Sequence, residues 1–72
     1  MKEDDLKYLK TSQGRCVAIV TRHGETLIAN VHWVSEEEQD LIYELISTNK
    51  QGFQEGCLYA LPLEDIISVR PA

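Results

Sequence analysis

The sequence predicts a mainly β domain in which a short N-terminal helix precedes a five-stranded antiparallel barrel. The chain has 72 residues, the size of one small domain, and its apolar fraction of 43% is ordinary for a globular protein. Short stretches rich in β-branched residues follow one another along it with brief connections. A sheet of five such strands can hide its edges by curling into a barrel.

The N-terminal helix is predicted over residues 3–10 (EDDLKYLK). Leu6 and Leu9 are spaced for one helix face, the acids come first and the lysines last, as the helix dipole favours. The polar stretch before Gly14 ends it. We therefore divide the single domain, residues 1–72, into a helical arm (1–13) and a barrel (14–70).

A β-hairpin is predicted from residues 15–22 (RCVAIVTR) and 25–34 (ETLIANVHWV), with a tight turn at Gly24. The second strand alternates in polarity, which makes Trp33 a core anchor on its inward face. That face contains Leu27, Ala29, Val31 and Trp33.

The last two strands are predicted at residues 56–61 (GCLYAL) and 66–70 (IISVR), after a glycine-rich loop at 49–56. Pro62 interrupts the first of them because proline cannot donate to a strand ladder, and Pro71 ends the second.

Residues 35–48 (SEEEQDLIYELIST) fit two structures. Ser35 followed by Glu38 matches a helical capping box, and residues 41, 42, 45 and 46 form an apolar helical stripe. From Asp40 onward the same residues also alternate as a strand. A helix here gives a ββαββ alternative with exposed sheet edges, so the topology favours an acidic loop followed by a strand.

The candidate metal ligands and catalytic groups are sparse. Cys16, His23, His32 and Cys57 do not have the close pairwise spacing of zinc ligands, and both cysteines lie in apolar runs that predict burial. No nucleophile or orienting acid is apparent beside His32 in the sequence. We therefore predict no catalytic residue, no metal site and no cofactor, and a protein that is not an enzyme.

The charge distribution favours a protein partner over nucleic acid. The net charge is −5, and no Lys or Arg lies between Arg22 and Lys50. Nucleic-acid affinity depends mainly on Lys and Arg neutralising phosphates, so nucleic-acid binding is disfavoured, whereas an acidic face suits a basic protein surface. The predicted partner-binding residues are Glu36, Glu37, Glu38 and Asp40.

The chain has no apolar run of the ~20 residues that a membrane span needs, and its first ten residues are mostly polar and include acids. These features predict a cytoplasmic protein that does not enter the membrane. Residues 16–20 and 41–46 carry apolar side chains on both strand faces. The outer face therefore needs a cover, either the N-terminal helix or another chain, which predicts a homo-oligomer or a hydrophobic partner surface.

A helix followed by five strands resembles the Sm-like fold, a bent SH3-like barrel, over residues 14–69. The hairpin VAIVTRHGETLIANV is similar to the first half of the Sm signature, and ALPLEDIISV to the second. RNA-binding Sm proteins carry an Asp-x-aromatic-Asn element after the second strand, where this chain reads WVSEEEQD. Their Arg-Gly pair is replaced by Pro62-Leu63. The resemblance therefore does not carry over ring-type uridine binding.

A narrower resemblance is to the small acidic bacterial proteins of Sm-like fold that inhibit the Rho transcription terminator. Residues 63–66 (LEDI) are similar to the Leu-x-Asp-Lys-Ile turn before their closing strand. This resemblance implies a partner with a basic RNA-binding surface. We therefore predict a small acidic regulatory module that binds another protein, for example a transcription or RNA-processing factor. The alternative is a nucleic-acid-binding Sm-like protein without the usual RNA motif.

Overall fold

The computed structural model describes residues 2–72 and has the predicted mainly β architecture. One helix comes first, and five strands follow, the last two joined by a single 3₁₀ turn. In chain order the elements are α1 (Glu3–Lys10), β1 (Cys16–Thr21), β2 (Thr26–Ser35), β3 (Asp40–Thr48), β4 (Leu58–Pro62), the 3₁₀ turn (Leu63–Asp65) and β5 (Ile66–Pro71). After Ser35, the last residue of β2, residues 36–39 form a loop and residues 40–48 form a strand, so the ββαββ alternative is wrong.

The five strands form one antiparallel sheet in the order β4-β3-β2-β1-β5. The pairing of β2 with β3 is shifted twice, between Ile28 and Ala29 and between Val31 and Trp33, and β1 is shifted against β5 after Val20. Such bulges bend strands and increase their twist. The sheet is therefore curved into a barrel-like shape around one interior.

The interior is a single apolar cluster formed by α1, β1, β2, β3, β5 and the 3₁₀ turn, and the partly buried Tyr59 and Leu61 of β4 pack against it. Leu9 of α1 is fully buried in it, and α1 packs against β2 and β5. The helix thus extends the core and leaves Val20 and Ile67 exposed on the outer face of the sheet. The buried apolar residues are Leu9, Val17, Ile19, Leu27, Ala29, Val31, Val34, Leu41, Tyr43, Leu45, Leu63, Ile66 and Val69.

The hairpin turn between β1 and β2 is formed as predicted. Gly24 has φ +79°, a conformation that side-chain-bearing residues rarely adopt. The buried Thr21 supports the turn, because its hydroxyl oxygen accepts hydrogen bonds from the backbone N–H groups of His23 and Glu25, both at 3.3 Å.

The capping signal at Ser35 is used in a turn and not in a helix. Ser35 Oγ accepts a hydrogen bond from the backbone N–H of Glu38 at 3.2 Å, which is one half of a capping box. Gln39 then adopts φ +58°, in the left-handed region, and Asp40 pairs with Ser35 across the β2–β3 hairpin. The left-handed residue therefore stops the helical turn after one bond and starts β3.

Trp33 is not a core anchor, which corrects the prediction from strand alternation. The register shift after Val31 opposes two β2 residues to one β3 position, so the inward-outward alternation slips by one residue. Val34 takes the inward position, and Trp33 is left 58% exposed.

The prediction that both cysteines are buried is also wrong. Cys16 is exposed at the start of β1, on the face opposite the buried Val17. Cys57 is exposed in the loop before β4. Apolar neighbours in the sequence do not bury a residue that points outward from a strand or lies in a loop.

The buried hydroxyl of Tyr43 should make the stability of the protein fall at alkaline pH. Burial raises the pKa of its hydroxyl, and Tyr59 and Glu25 raise it further. The folded protein therefore keeps Tyr43 neutral at pH values where the unfolded chain, with an ordinary pKa of about 10, already ionises. This contribution is complete below pH ~10 and is lost as the pH rises through the folded pKa. Urea unfolding of Tyr43→Phe should show a shallower loss of unfolding free energy with pH above pH 10 than wild type does. An identical loss in the two proteins would contradict the role of Tyr43.

Candidate protein-binding surface

The four predicted partner-binding carboxylates are found at the β2–β3 connection. Glu36, Glu37 and Glu38 are exposed in the loop, and Asp40 is the half-buried first residue of β3. Glu36 forms an ion pair with Lys10 of α1. Among the pairs formed within residues 2–72, none involves Glu37, Glu38 or Asp40. Three of the four carboxylates therefore keep their negative charge uncompensated by a direct ion pair.

A fifth carboxylate, Glu64, joins this group from the 3₁₀ turn. The backbone N–H of Leu63 donates to the carbonyl oxygen of Gln39 at 2.9 Å, which holds the 3₁₀ turn against the loop. Glu38, Gln39, Asp40, Pro62 and Glu64 line one shallow cleft, which we call the acidic cleft. Glu64 is distant in sequence from the loop, and the pairing of Asp40 with Pro62, together with the Leu63–Gln39 hydrogen bond, brings it there. Sequence reasoning therefore had no local signal for it.

Arg22 and Lys50, the basic residues nearest in sequence on either side of the acidic segment, form ion pairs with carboxylates outside it. Arg22 Nε lies 2.7 Å from Asp65 Oδ1, and Lys50 Nζ lies 2.9 Å from Glu25 Oε2. Both distances are within ion-pair range, although the geometry of neither contact is that of a hydrogen bond. These cations are therefore committed to other carboxylates.

The outer face of β2, β3 and β4 presents apolar side chains beside two carboxylates, those of Asp40 and Glu44. Trp33 pairs with Ile42 across the strands, and Ile42 pairs with Ala60 of β4. Asp40 and Glu44 flank Ile42, each two residues away on the same outward face of β3. We call this group the tryptophan face: Trp33, Asp40, Ile42, Glu44, Leu58 and Ala60.

The histidines and cysteines do not converge. His32 Nε2 of β2 lies 3.7 Å from Glu44 Oε1 of β3. His23, in the turn between β1 and β2, has its Nε2 atom 3.9 Å from Asp65 Oδ2. Within residues 2–72, no group of three or more His, Cys, Asp or Glu side chains is placed to hold a metal ion. In the same part of the chain, no helix has the length and apolar character needed to cross a membrane.

Comparisons of this chain with models of protein families, with curated proteins and with solved structures find no match.

Proposed function

We propose that this protein is a non-enzymatic interaction module that binds a basic surface of another protein. The observation that carries the proposal is the exposed pair Glu37 and Glu38, which has no cation within ion-pair distance among the described residues. Asp40 and Glu64 add charge beside Glu38 in the acidic cleft. Carboxylates held together by a fold make the local electrostatic potential more negative and attract a positively charged surface.

The proposal takes the fold as an Sm-like, SH3-like barrel. This assignment is supported by an N-terminal helix followed by five antiparallel strands in the order β4-β3-β2-β1-β5. The loop that holds the RNA-binding element in Sm proteins is here the acidic segment 36–39. A loop with three glutamates repels phosphates, so the partner is a protein, as it is for the Rho-inhibiting proteins that the chain resembles. A basic RNA-binding surface on a transcription or RNA-processing factor has the complementary charge.

The test measures binding of a nine-lysine peptide by isothermal titration calorimetry at low salt. We expect Glu37→Lys and Glu38→Lys each to weaken binding roughly three- to tenfold, because each reversal removes one attraction and adds one repulsion. Neither substitution removes an ion pair formed within residues 2–72. Glu36 is left unchanged, since its reversal would also disrupt the pair with Lys10.

Glu55→Lys is the matched control. Glu55 is exposed in the loop between β3 and β4, and its reversal changes the net charge by the same two units. If Glu55→Lys weakens binding as much as Glu38→Lys, net charge and not the acidic loop determines affinity, and the proposed site is wrong. A single-stranded RNA oligonucleotide is the second probe. Measurable RNA binding that declines steeply with salt would support the nucleic-acid alternative instead.

A further inference from the structure

We propose that the tryptophan face receives an arginine side chain of the basic partner, with the guanidinium stacked on Trp33 and held by a neighbouring carboxylate. This inference rests on the proposed function and specifies the chemistry of the partner residue.

The exposure of Trp33 is the first observation. Trp33 is the only tryptophan of the chain, and more than half of its surface is accessible to solvent. A bulge between Val31 and Trp33 turns the indole outward, while Val34 fills the inward position. Exposed tryptophan is costly in water and is enriched at the centres of binding sites.

The second observation is the arrangement of charge around the indole. Trp33 lies opposite Ile42, and Asp40 and Glu44 lie one pleat away on either side of Ile42. Diagonal neighbours across antiparallel strands are ~7–8 Å apart, within reach of long side chains. The ladder is regular from Trp33 to Ser35, which pairs with Asp40, so a cation placed over the indole is close to the Asp40 carboxylate. Glu44 also has His32 nearby, whereas Asp40 has no ion-pair partner within residues 2–72.

The third observation is the apolar floor beside the indole. Ile42 and Ala60 pair across β3 and β4, and Leu58, which is 58% exposed, lies opposite Glu44. The aliphatic stem of a long basic side chain packs favourably on such a surface while its charged head stays hydrated.

Arginine fits this arrangement better than lysine does. Its guanidinium is planar, stacks on an aromatic face and offers a fork of N–H donors to a carboxylate at the same time. The ammonium of lysine is a strongly hydrated point charge that makes no planar stack. The acidic cleft attracts either residue, so preference for arginine is the property that the tryptophan face adds.

The experiment compares a nine-arginine peptide with a nine-lysine peptide of equal charge. With the wild-type protein, arginine binding should be tighter and should change the fluorescence of Trp33, the single indole reporter of the chain. By calorimetry, Trp33→Ala should weaken arginine-peptide binding about fivefold, the equivalent of one cation–π contact, and should weaken lysine-peptide binding less. Trp33→Leu keeps apolar bulk without the π-system and should behave like Trp33→Ala.

Ile67→Ala is the control, because Ile67 is an equally exposed apolar residue on β5, outside the tryptophan face. It should leave the affinity for both peptides unchanged. If wild type binds both peptides and Trp33→Ala binds the arginine peptide equally well, the arginine site is overturned while the acidic-loop function stands. If wild type binds neither peptide at low salt, both proposals are overturned.

Discussion

Replacing Leu45 with alanine should lower the free energy of unfolding by about 2–5 kcal/mol, the usual cost of removing a fully buried leucine side chain. Leu45 is 0% exposed and points inward from β3, as the buried Leu41 and Tyr43 of that strand do. A domain of this size has a total stability of only about 4–11 kcal/mol. Urea unfolding of Leu45→Ala should therefore show a midpoint far below that of wild type, or a chain unfolded in water.

The matched control is Ile46→Ala, one residue further along the chain. Ile46 is 38% exposed on the outer face of the sheet, and its truncation should cost less than about 1 kcal/mol. The contrast separates the two interpretations of residues 35–48. In a helix, positions 45 and 46 would both belong to the apolar stripe and both substitutions would be severe. Equal losses from the two variants would contradict the strand and its register.

Replacing Leu9 with alanine should also cost about 2–5 kcal/mol and should remove the helix together with the stability. α1 has eight residues, fewer than an isolated helix needs to form in water. Its one buried residue is Leu9, which belongs to the same core as the strands. Far-UV circular dichroism and urea unfolding of Leu9→Ala test whether the helix is an integral part of the core.

Lys10→Ala serves as the control for Leu9→Ala. It removes the ion pair with Glu36 and leaves Leu9 in place. Both partners of that pair are largely exposed, so its loss should cost at most about 1 kcal/mol. If Leu9→Ala is no less stable than Lys10→Ala, α1 is an arm that the barrel-like sheet does not require.

The elements of the fold were predictable because their signals are local or follow from the whole chain. The helix at residues 3–10 follows from leucine spacing and charge order, and the first hairpin from alternation around Gly24. The strand at 40–48 needed the topological argument, because the local capping signal was real. Ser35 does accept the hydrogen bond from the N–H of Glu38, but the left-handed Gln39 ends the turn. The local sequence predicted the hydrogen bond between Glu38 and Ser35 but not that the bond lies in a turn between two strands.

The candidate site was predictable only in part. The acidic loop was found because Glu36, Glu37 and Glu38 are consecutive, whereas Glu64 reaches the same cleft through strand pairing. Trp33 was placed in the core because strict alternation was assumed, and a bulge leaves no clear signature in a single sequence. Residues whose role depends on register or on distant pairing were thus the ones that sequence reasoning missed.

The homo-oligomer stays a prediction. Val20, Ile46 and Ile67 are exposed apolar residues on the outer face of the sheet, and α1 does not bury them. Val20 and Ile67 lie on β1 and β5, outside the tryptophan face, whereas Ile46 lies on β3, which also contributes to that face.

The most direct test of a single binding surface is a titration of the ¹⁵N-labelled protein with the nine-arginine peptide, followed by amide chemical-shift changes. We expect the largest changes on residues 33–44 and on Glu64, together with the indole N–H of Trp33. Residues of β5 and the Gly24 turn should change little. Changes spread evenly over all exposed acidic residues, or centred on β5, would contradict a defined acidic and aromatic site.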